Sequence, residues 1–329
     1  MVKHIVANFL TLLFLGLLVV AGLILVSIDR FSAPGPLSEA TLVSISEGAS
    51  LNSASETLVE AGAIESATLF RLGARYSGAQ ASLKFGDYEI PAAASMQDVL
   101  DIVTSGRSVQ YKVTVPEGLT SWEVVQILNE NEYLTGEVDA VPAEGSLAPD
   151  TYFVSRGSSR LAVLARMQAA QKAILEEAWA RRAGDTPLAT PEEALVLASI
   201  IEKETGVASE RAKVGGVFVN RLRLGMKLQS DPTIIYGITN GEGPLDRPIR
   251  RSDISRPTAY NTYVIDRLPP GPIANPGREA IFAAVAPDET EALYFVADGT
   301  GGHAFASTLR DHQKNVAVWR EIERARQSE

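Results

Sequence analysis

Phe9 to Ile28 reads FLTLLFLGLLVVAGLILVSI, 20 residues without a single charge. As a helix that run is about 30 Å long, the thickness of the hydrocarbon core of a bilayer. Its backbone polar groups are satisfied internally only as a helix, so the run dictates one spanning helix near the N-terminus. A cleaved signal peptide is the competing reading, with Lys3 and His4 as its basic leader. The apolar run is too long for that, and no small-x-small cleavage site follows it directly, so a retained single-pass anchor is expected. Lys3, His4 and the amino terminus lie on one side, and Arg30, offset by Asp29, lies on the other. The bias of basic residues toward the cytoplasm then predicts residues 1–8 as a cytoplasmic N-terminus, 9–28 as the transmembrane helix and an exported body. In a bacterium with two membranes that body is periplasmic and the anchor lies in the inner membrane.

The remaining 300 or so residues have room for two or three domains. A net charge of -10 excludes nucleic acid as an expected partner, since phosphate recognition needs a basic footprint. The chain has no cysteine, which removes disulfides, thiolate catalysis and thiolate-held metals.

Residues 29–40 form a proline-containing polar linker. Beyond it, Val43 to Ile64 and Val113 to Leu134 share a pattern: an extended run, Glu-Gly, and an amphipathic helix. Glu47-Gly48 aligns with Glu117-Gly118, and a related piece runs from Phe85 to Gly106. Residues 41–135 are therefore expected to be a small α+β module, either a ligand site or two ordinary β–α units. A connector at 135–158 carries turn signals at Gly145, Pro149 and Gly157. From Ser159 helices dominate, with expected spans Leu161–Arg182, a helix from Thr190, Ser209–Leu224, Arg278–Val285 and Leu309–Arg326. A long loop region rich in proline and glycine follows Gly225. Strands at Ala292–Ala297 and His303–Ala306 flank the turn DGTGG, which reads as a β-hairpin and not a phosphate loop, since no helix opens after it.

The helix from Thr190 to Thr205 carries the one carboxylate on its apolar stripe. Thr190 suits the N-cap, Pro191 the first position, and Glu193 completes a capping box. At about 100° per residue, Leu197, Ile200 and Ile201 fall within about 60° of Glu204, while Glu202 points the opposite way, toward water. A carboxyl among apolar neighbours has a raised pKa, the preparation a general acid needs near neutrality. A frayed last turn would instead leave Glu204 ordinary. Other chemistries are thin. Three histidines, His4, His303 and His312, have no metal-ligand spacing, so no metal and no cofactor is expected. A Ser-His-Asp triad around His303 stays open on residue types alone, but no G-x-S-x-G turn supports it.

The run LASIIEKETGVASERAKVGGVFVNRLRLGMKLQSDPTIIYGI (Leu197 to Ile238) resembles the central signature of the endolytic murein transglycosylase family (MltG-type, YceG-like). EGSLAPDTY (Glu144 to Tyr152), RPTAYNTYVIDRLPPGPIANPG (Arg256 to Gly277) and LYFVADGTGGHAF (Leu293 to Phe305) fit the same family in order, and the likeness covers the whole chain. The resemblance implies a membrane-anchored lytic transglycosylase, a carbon–oxygen lyase that cuts the MurNAc–GlcNAc bond within nascent peptidoglycan strands. It implies a LysM-like glycan-binding module at 41–135 and a mainly helical, lysozyme-like catalytic domain at 136–329. It maps the catalytic glutamate onto Glu204, the residue the helical wheel also selects. That group would protonate the glycosidic oxygen as acid. As base it would then take the C6 hydroxyl proton while a 1,6-anhydro ring closes, with the substrate's N-acetyl group assisting. Gln229, Asp231, Thr233, Tyr236, Asn261 and Tyr263 are the candidate substrate-binding residues, amides, hydroxyls and phenols suited to sugars. Asp231, before Pro232, also reads as a structural acceptor. The implied partners are glycan strands, the membrane and peptidoglycan synthases, with a role in ending glycan elongation. A muramidase-type hydrolase and a non-catalytic glycan-binding scaffold are the alternatives.

Overall fold

In a computed structural model of the chain, residues 2–327 are described, with side chains for residues 8–326. Met1 and the side chains of Lys3 and His4, on which the expected orientation rests, lie outside the described ones. Helices and short strands are mixed, and the strands form four two-stranded sheets among the described residues. The chain divides into two compact units, Met1–Tyr111 with Phe153–Ser158, and Lys112–Tyr152 with Ser159–Glu329.

The first unit opens with α1 (Val2–Ser32), whose stretch Asn8–Ser32 has a mean hydropathy of 3.0 and is long and apolar enough to cross a membrane. Its Phe31 ring packs on Gly73, where a Cβ would come within 2.3 Å of the ring. There follow β1 (Thr41–Ile45), α2 (Leu51–Glu60), α3 (Ala67–Tyr76), β2 (Gly86–Ile90) and α4 (Met96–Ser105). β1 and β2 pair antiparallel with Val43 opposite Tyr88. α2, α3 and α4 each start at a serine whose hydroxyl accepts an early backbone N–H: Ser50 from Ser53, Ser66 from Leu69, Ser95 from Asp98. The core comprises Val43, Ile45, Leu58, Phe70, Tyr88, Val99 and Val103, all buried. Asp87 is buried as well, yet Ser44 Oγ donates to it at 2.5 Å, Arg156 Nε donates at 2.9 Å, and the Tyr111 hydroxyl donates too. Burial alone would raise its pKa, but these three donors outweigh it and hold the carboxyl below its ordinary value.

The second unit carries α5 (Ser121–Glu130) and β4 (Leu134–Thr135), while β3 (Tyr111–Thr114), β5 (Thr151–Val154) and β6 (Ser158–Ser159) are each divided between the two units. Then come α6 (Arg160–Ala180), α7 (Pro191–Glu204), α8 (Arg211–Arg223), α9 (Asp231–Thr239), α10 (Arg251–Ile254) and α11 (Arg278–Val285). The hairpin β7 (Tyr294–Ala297) and β8 (His303–Ala306) and the helix α12 (Leu309–Gln327) complete it. α7 is the centre of the core. Leu197, Ala198, Ile200 and Ile201 are fully buried, packed with Val214, Phe218 and Leu222 of α8 and Ala280, Ile281 and Ala284 of α11. Gly215 and Gly216 let α8 approach neighbouring backbone, for a Cβ on Gly215 would lie 2.4 Å from the Ala283 carbonyl oxygen.

The first compact unit ends at Tyr111, inside the stretch 41–135 read from the sequence as one module. The second strand–turn–helix copy belongs to the second unit because its turn is tied there: Gly118 N–H donates to the Asn275 carbonyl at 3.0 Å and Asn275 N–H to that of Leu119 at 2.8 Å. The two Glu-Gly turns do match, with Gly48 and Gly118 in the left-handed region at φ 76° and 77°. The region after Gly225 is also less irregular than expected, since Asp231 and Pro232 open the nine-residue α9.

Candidate active site

Glu204 is the last residue of α7, and Thr205, buried, takes the C-cap with its N–H on the Ile201 carbonyl. α7 is capped at the far end by Thr190, whose hydroxyl accepts from Glu193 N–H at 3.2 Å. The Glu193 carboxylate returns to Ala189 N–H, one residue earlier than a capping box requires. The apolar stripe of Leu197, Ile200 and Ile201 thus carries Glu204 out of the core and onto the wall of a cavity of about 450 Å³.

Arg221, Gln229, Asp231, Tyr263 and His303 line the same cavity, with Tyr294, Phe295 and His312 as further ring walls. Burial pushes the Glu204 carboxyl up to about 6; the Ser230 hydroxyl opposes that, the Asp231 charge adds to it, and charge on His303 and Arg221 opposes it. Arg221 is buried, donates from Nε to the Leu293 carbonyl at 2.7 Å and from Nη1 to that of Leu228 at 2.6 Å, and lies over the Tyr294 ring. Such a carboxyl is half protonated near pH 6 and can both give and take a proton at physiological pH.

Three of the six expected binding residues line the cavity. Gln229 is held at φ 52°, an uncommon conformation for a non-glycine residue, by its N–H on the Thr262 carbonyl. Asp231 accepts from the Tyr263 hydroxyl at 2.7 Å, and burial first, then that bond, raise the phenol's pKa. The other three are elsewhere. Thr233 is fully buried, its hydroxyl on the Ser230 carbonyl at 2.6 Å and beside that of Thr262. Asn261 is buried too, its amide donating to the carbonyls of Asp253, Ile254 and Arg256. Tyr236 donates to Glu144 at 3.2 Å and packs 4.7 Å from the Tyr260 ring. Asp231 acts as the structural acceptor expected of it and lines the cavity at once.

Glu202 does not face water. Its side chain is 5% exposed, accepts from Gly277 N–H at 2.9 Å and lies 3.6 Å from Arg211, which also meets Glu117. Burial first, then the Glu117 charge, raise its pKa, while Gly277 and Arg211 oppose them. It is outside the cavity and ties α7 to the start of α11. Glu202→Ala leaves Gly277 N–H and Arg211 without this acceptor and is expected to cost about 2 kcal/mol of stability. A denaturant titration checks this; a change below about 0.5 kcal/mol, that of an ordinary surface substitution, would refute it.

Arg221 was not anticipated, though a basic residue three positions after Phe218 on an apolar helix face is the same kind of signal as Glu204. His303 pairs with Glu210 at 2.7 Å, and no serine among the described residues bonds to it, so the open triad reading has no support. Glu210 and His303 are far apart in sequence and carry no local signal of their pairing. Among the described residues no cluster suited to a metal ion occurs.

A Bacillus subtilis (strain 168) protein named endolytic murein transglycosylase is 28% identical over 303 residues, covering 83% of this chain and 82% of that protein. A Streptococcus pneumoniae (serotype 2, strain D39) protein of the same name is 28% identical over 323 residues, 84% of this chain. This chain spans 57% of the length of that pneumococcal relative. The crystal structure of a yceG-like protein from Listeria monocytogenes is 26% identical, with a TM-score of 0.52 over 84% of this chain and 98% of that one. Residues 43–318 match the model of the YceG-like family, and the chain belongs to that family.

Proposed function

We propose that this protein is a membrane-anchored lytic transglycosylase that cleaves the MurNAc–GlcNAc bond within nascent peptidoglycan and leaves 1,6-anhydro-MurNAc ends. The observation that carries the reading is a carboxyl with a pKa of about 6 on the wall of a cavity lined by rings, an amide and a carboxylate. The two relatives are named endolytic murein transglycosylases, which supports murein as the substrate and transglycosylation as the class of reaction. Protonated Glu204 gives its proton to the glycosidic oxygen as the C1–O bond breaks. The muramic C6 oxygen then bonds to C1, its proton returns to Glu204 as carboxylate, and no water is consumed. Gln229, Asp231 and Tyr263 hold sugar hydroxyls. A second carboxylate in the manner of the common glycosidases is not required.

The apolar α1 serves as the anchor, with the N-terminus cytoplasmic and the body in the periplasm, beside the synthases whose strands it terminates. The first unit serves as the LysM-like glycan-binding module, supported by two helices set between antiparallel β1 and β2.

Digestion of polymeric glycan by the detergent-solubilised full chain tests the reaction. Products one water lighter than reducing-end fragments are expected, and reducing ends alone would overturn it. Turnover should hold below pH 6 and fall about tenfold per unit well above it, as the acid form of Glu204 is lost. A rate still rising from pH 6 to 8 would remove Glu204 from the acid role.

A further inference from the structure

His303 opens β8 with its ring on the wall of the Glu204 cavity. Glu210, from the turn before α8, accepts from the His303 backbone N–H at 3.1 Å and lies 2.7 Å from Nδ1. The two side chains are 15% and 21% exposed. Gly302 makes room for this pairing, since a Cβ there would come 2.7 Å from Glu210 Oε1. The Phe295 ring meets the imidazole edge-on at 5.3 Å, with Phe305 beyond. A carboxylate accepting at Nδ1 keeps a proton on that nitrogen, so the neutral ring carries its lone pair on Nε2. Among the described residues Nε2 has no hydrogen-bond partner, nor is it a buried unpartnered atom. The ring is therefore held in place, and in its neutral form it offers one open acceptor on the wall of the cavity that Glu204 also lines.

We propose that His303 accepts the proton of the attacking substrate hydroxyl through Nε2 and passes it to Glu204, with Glu210 as the positioning residue. This inference rests on the transglycosylase reading and assigns the route of its second half. Glu204 gives its proton to the leaving oxygen as the C1–O bond breaks. The C6 oxygen bonds to C1 as its proton moves to Nε2. The imidazolium then returns that proton to the Glu204 carboxylate, so both groups regain their starting state and no other reactant enters.

The test compares His303→Ala and Glu210→Gln with the wild-type full chain on glycan strands, at matched thermal transitions. His303→Ala is expected to lower kcat about 10²-fold at little changed KM, with residual product shifted toward reducing ends as water captures the slowly closing intermediate. Added imidazole should restore part of the rate. Glu210→Gln, which can donate to Nδ1 and so displace the proton to Nε2, should give the same shift in product and keeps the test alive if His303→Ala does not fold. Wild-type rates with only anhydro ends in both variants would overturn the proposal. So would a lower kcat with wholly anhydro product and no rescue. If the wild-type chain itself forms no anhydro ends, the parent reading fails instead, and the two failures are thus distinct.

Discussion

Glu204→Gln is expected to lower anhydro-product formation by about 10³-fold, because an amide of nearly the same shape can neither give nor take the proton. Chromatography of glycan digests with mass detection reads the loss, and persistence of anhydro ends at wild-type rates would remove Glu204 from catalysis. The same substitution is expected to stabilise the protein at neutral pH. In the fold this carboxyl titrates near 6, against 4.5 for an ordinary glutamate. A raised pKa means the folded state binds the proton more tightly than the unfolded chain. The benefit is fully present below about pH 4.5 and is lost as pH rises through 6. Glutamine keeps the neutral form at every pH, so at pH 7 to 8 the variant should exceed wild type by about 2 kcal/mol, and at pH 4 the two should agree. Denaturant midpoints at both pH values read this difference. A variant that is inactive and also less stable at pH 8 would point to misfolding, and the two readouts moving oppositely would exclude it.

Gly215→Ala is expected to cost about 3 kcal/mol, through overpacking of a contact that has no slack. The added methyl would sit 2.4 Å from the Ala283 carbonyl oxygen and 3.1 Å from its carbon, both backbone atoms of α11. Relief requires moving α8 or α11 bodily. α8 carries Phe218 and Arg221 to the cavity, so activity should fall along with stability. Gly184→Ala is the matched control, for a Cβ there meets nothing within 4 Å. It should be neutral or slightly stabilising, since it narrows the unfolded ensemble. Equal unfolding midpoints for the two variants would refute the backbone-contact argument.

What was legible in the sequence is what local periodicity encodes. The helices near 161–182, 190–205 and 278–285, the last helix and the hairpin strand at 303–306 lie within a few residues of their expected bounds. Glu204 stood out because Leu197, Ile200 and Ile201 define a stripe that is buried in fact. Its neighbour misled, because α7 is enclosed on nearly every side and the groups covering Glu202, at Gly277 and Arg211, arrive from other helices. α9 escaped notice because Ile234, Ile235 and Gly237 weaken its helical signal, although Pro232 marks its start. Thr233 and Asn261 are polar residues in a glycine- and proline-rich stretch, which suggested a sugar groove. Their polar atoms instead satisfy buried backbone carbonyls, a demand that any irregular segment packed into a core must meet.

Asp87 and its three donors bear on the order in which the chain is made. Two of its partners, Ser44 and Tyr111, leave the ribosome in sequence with the rest of the first unit, but Arg156 does not. Synthesis runs from the N-terminus, so residues 112–152 must all emerge before Phe153–Ser158 can join that unit. The first unit therefore waits, its apolar α1 already made, with a buried aspartate still short of its arginine. Folding of the two units is interleaved in time, and no single cut in the chain yields two pieces that each retain all of their own contacts.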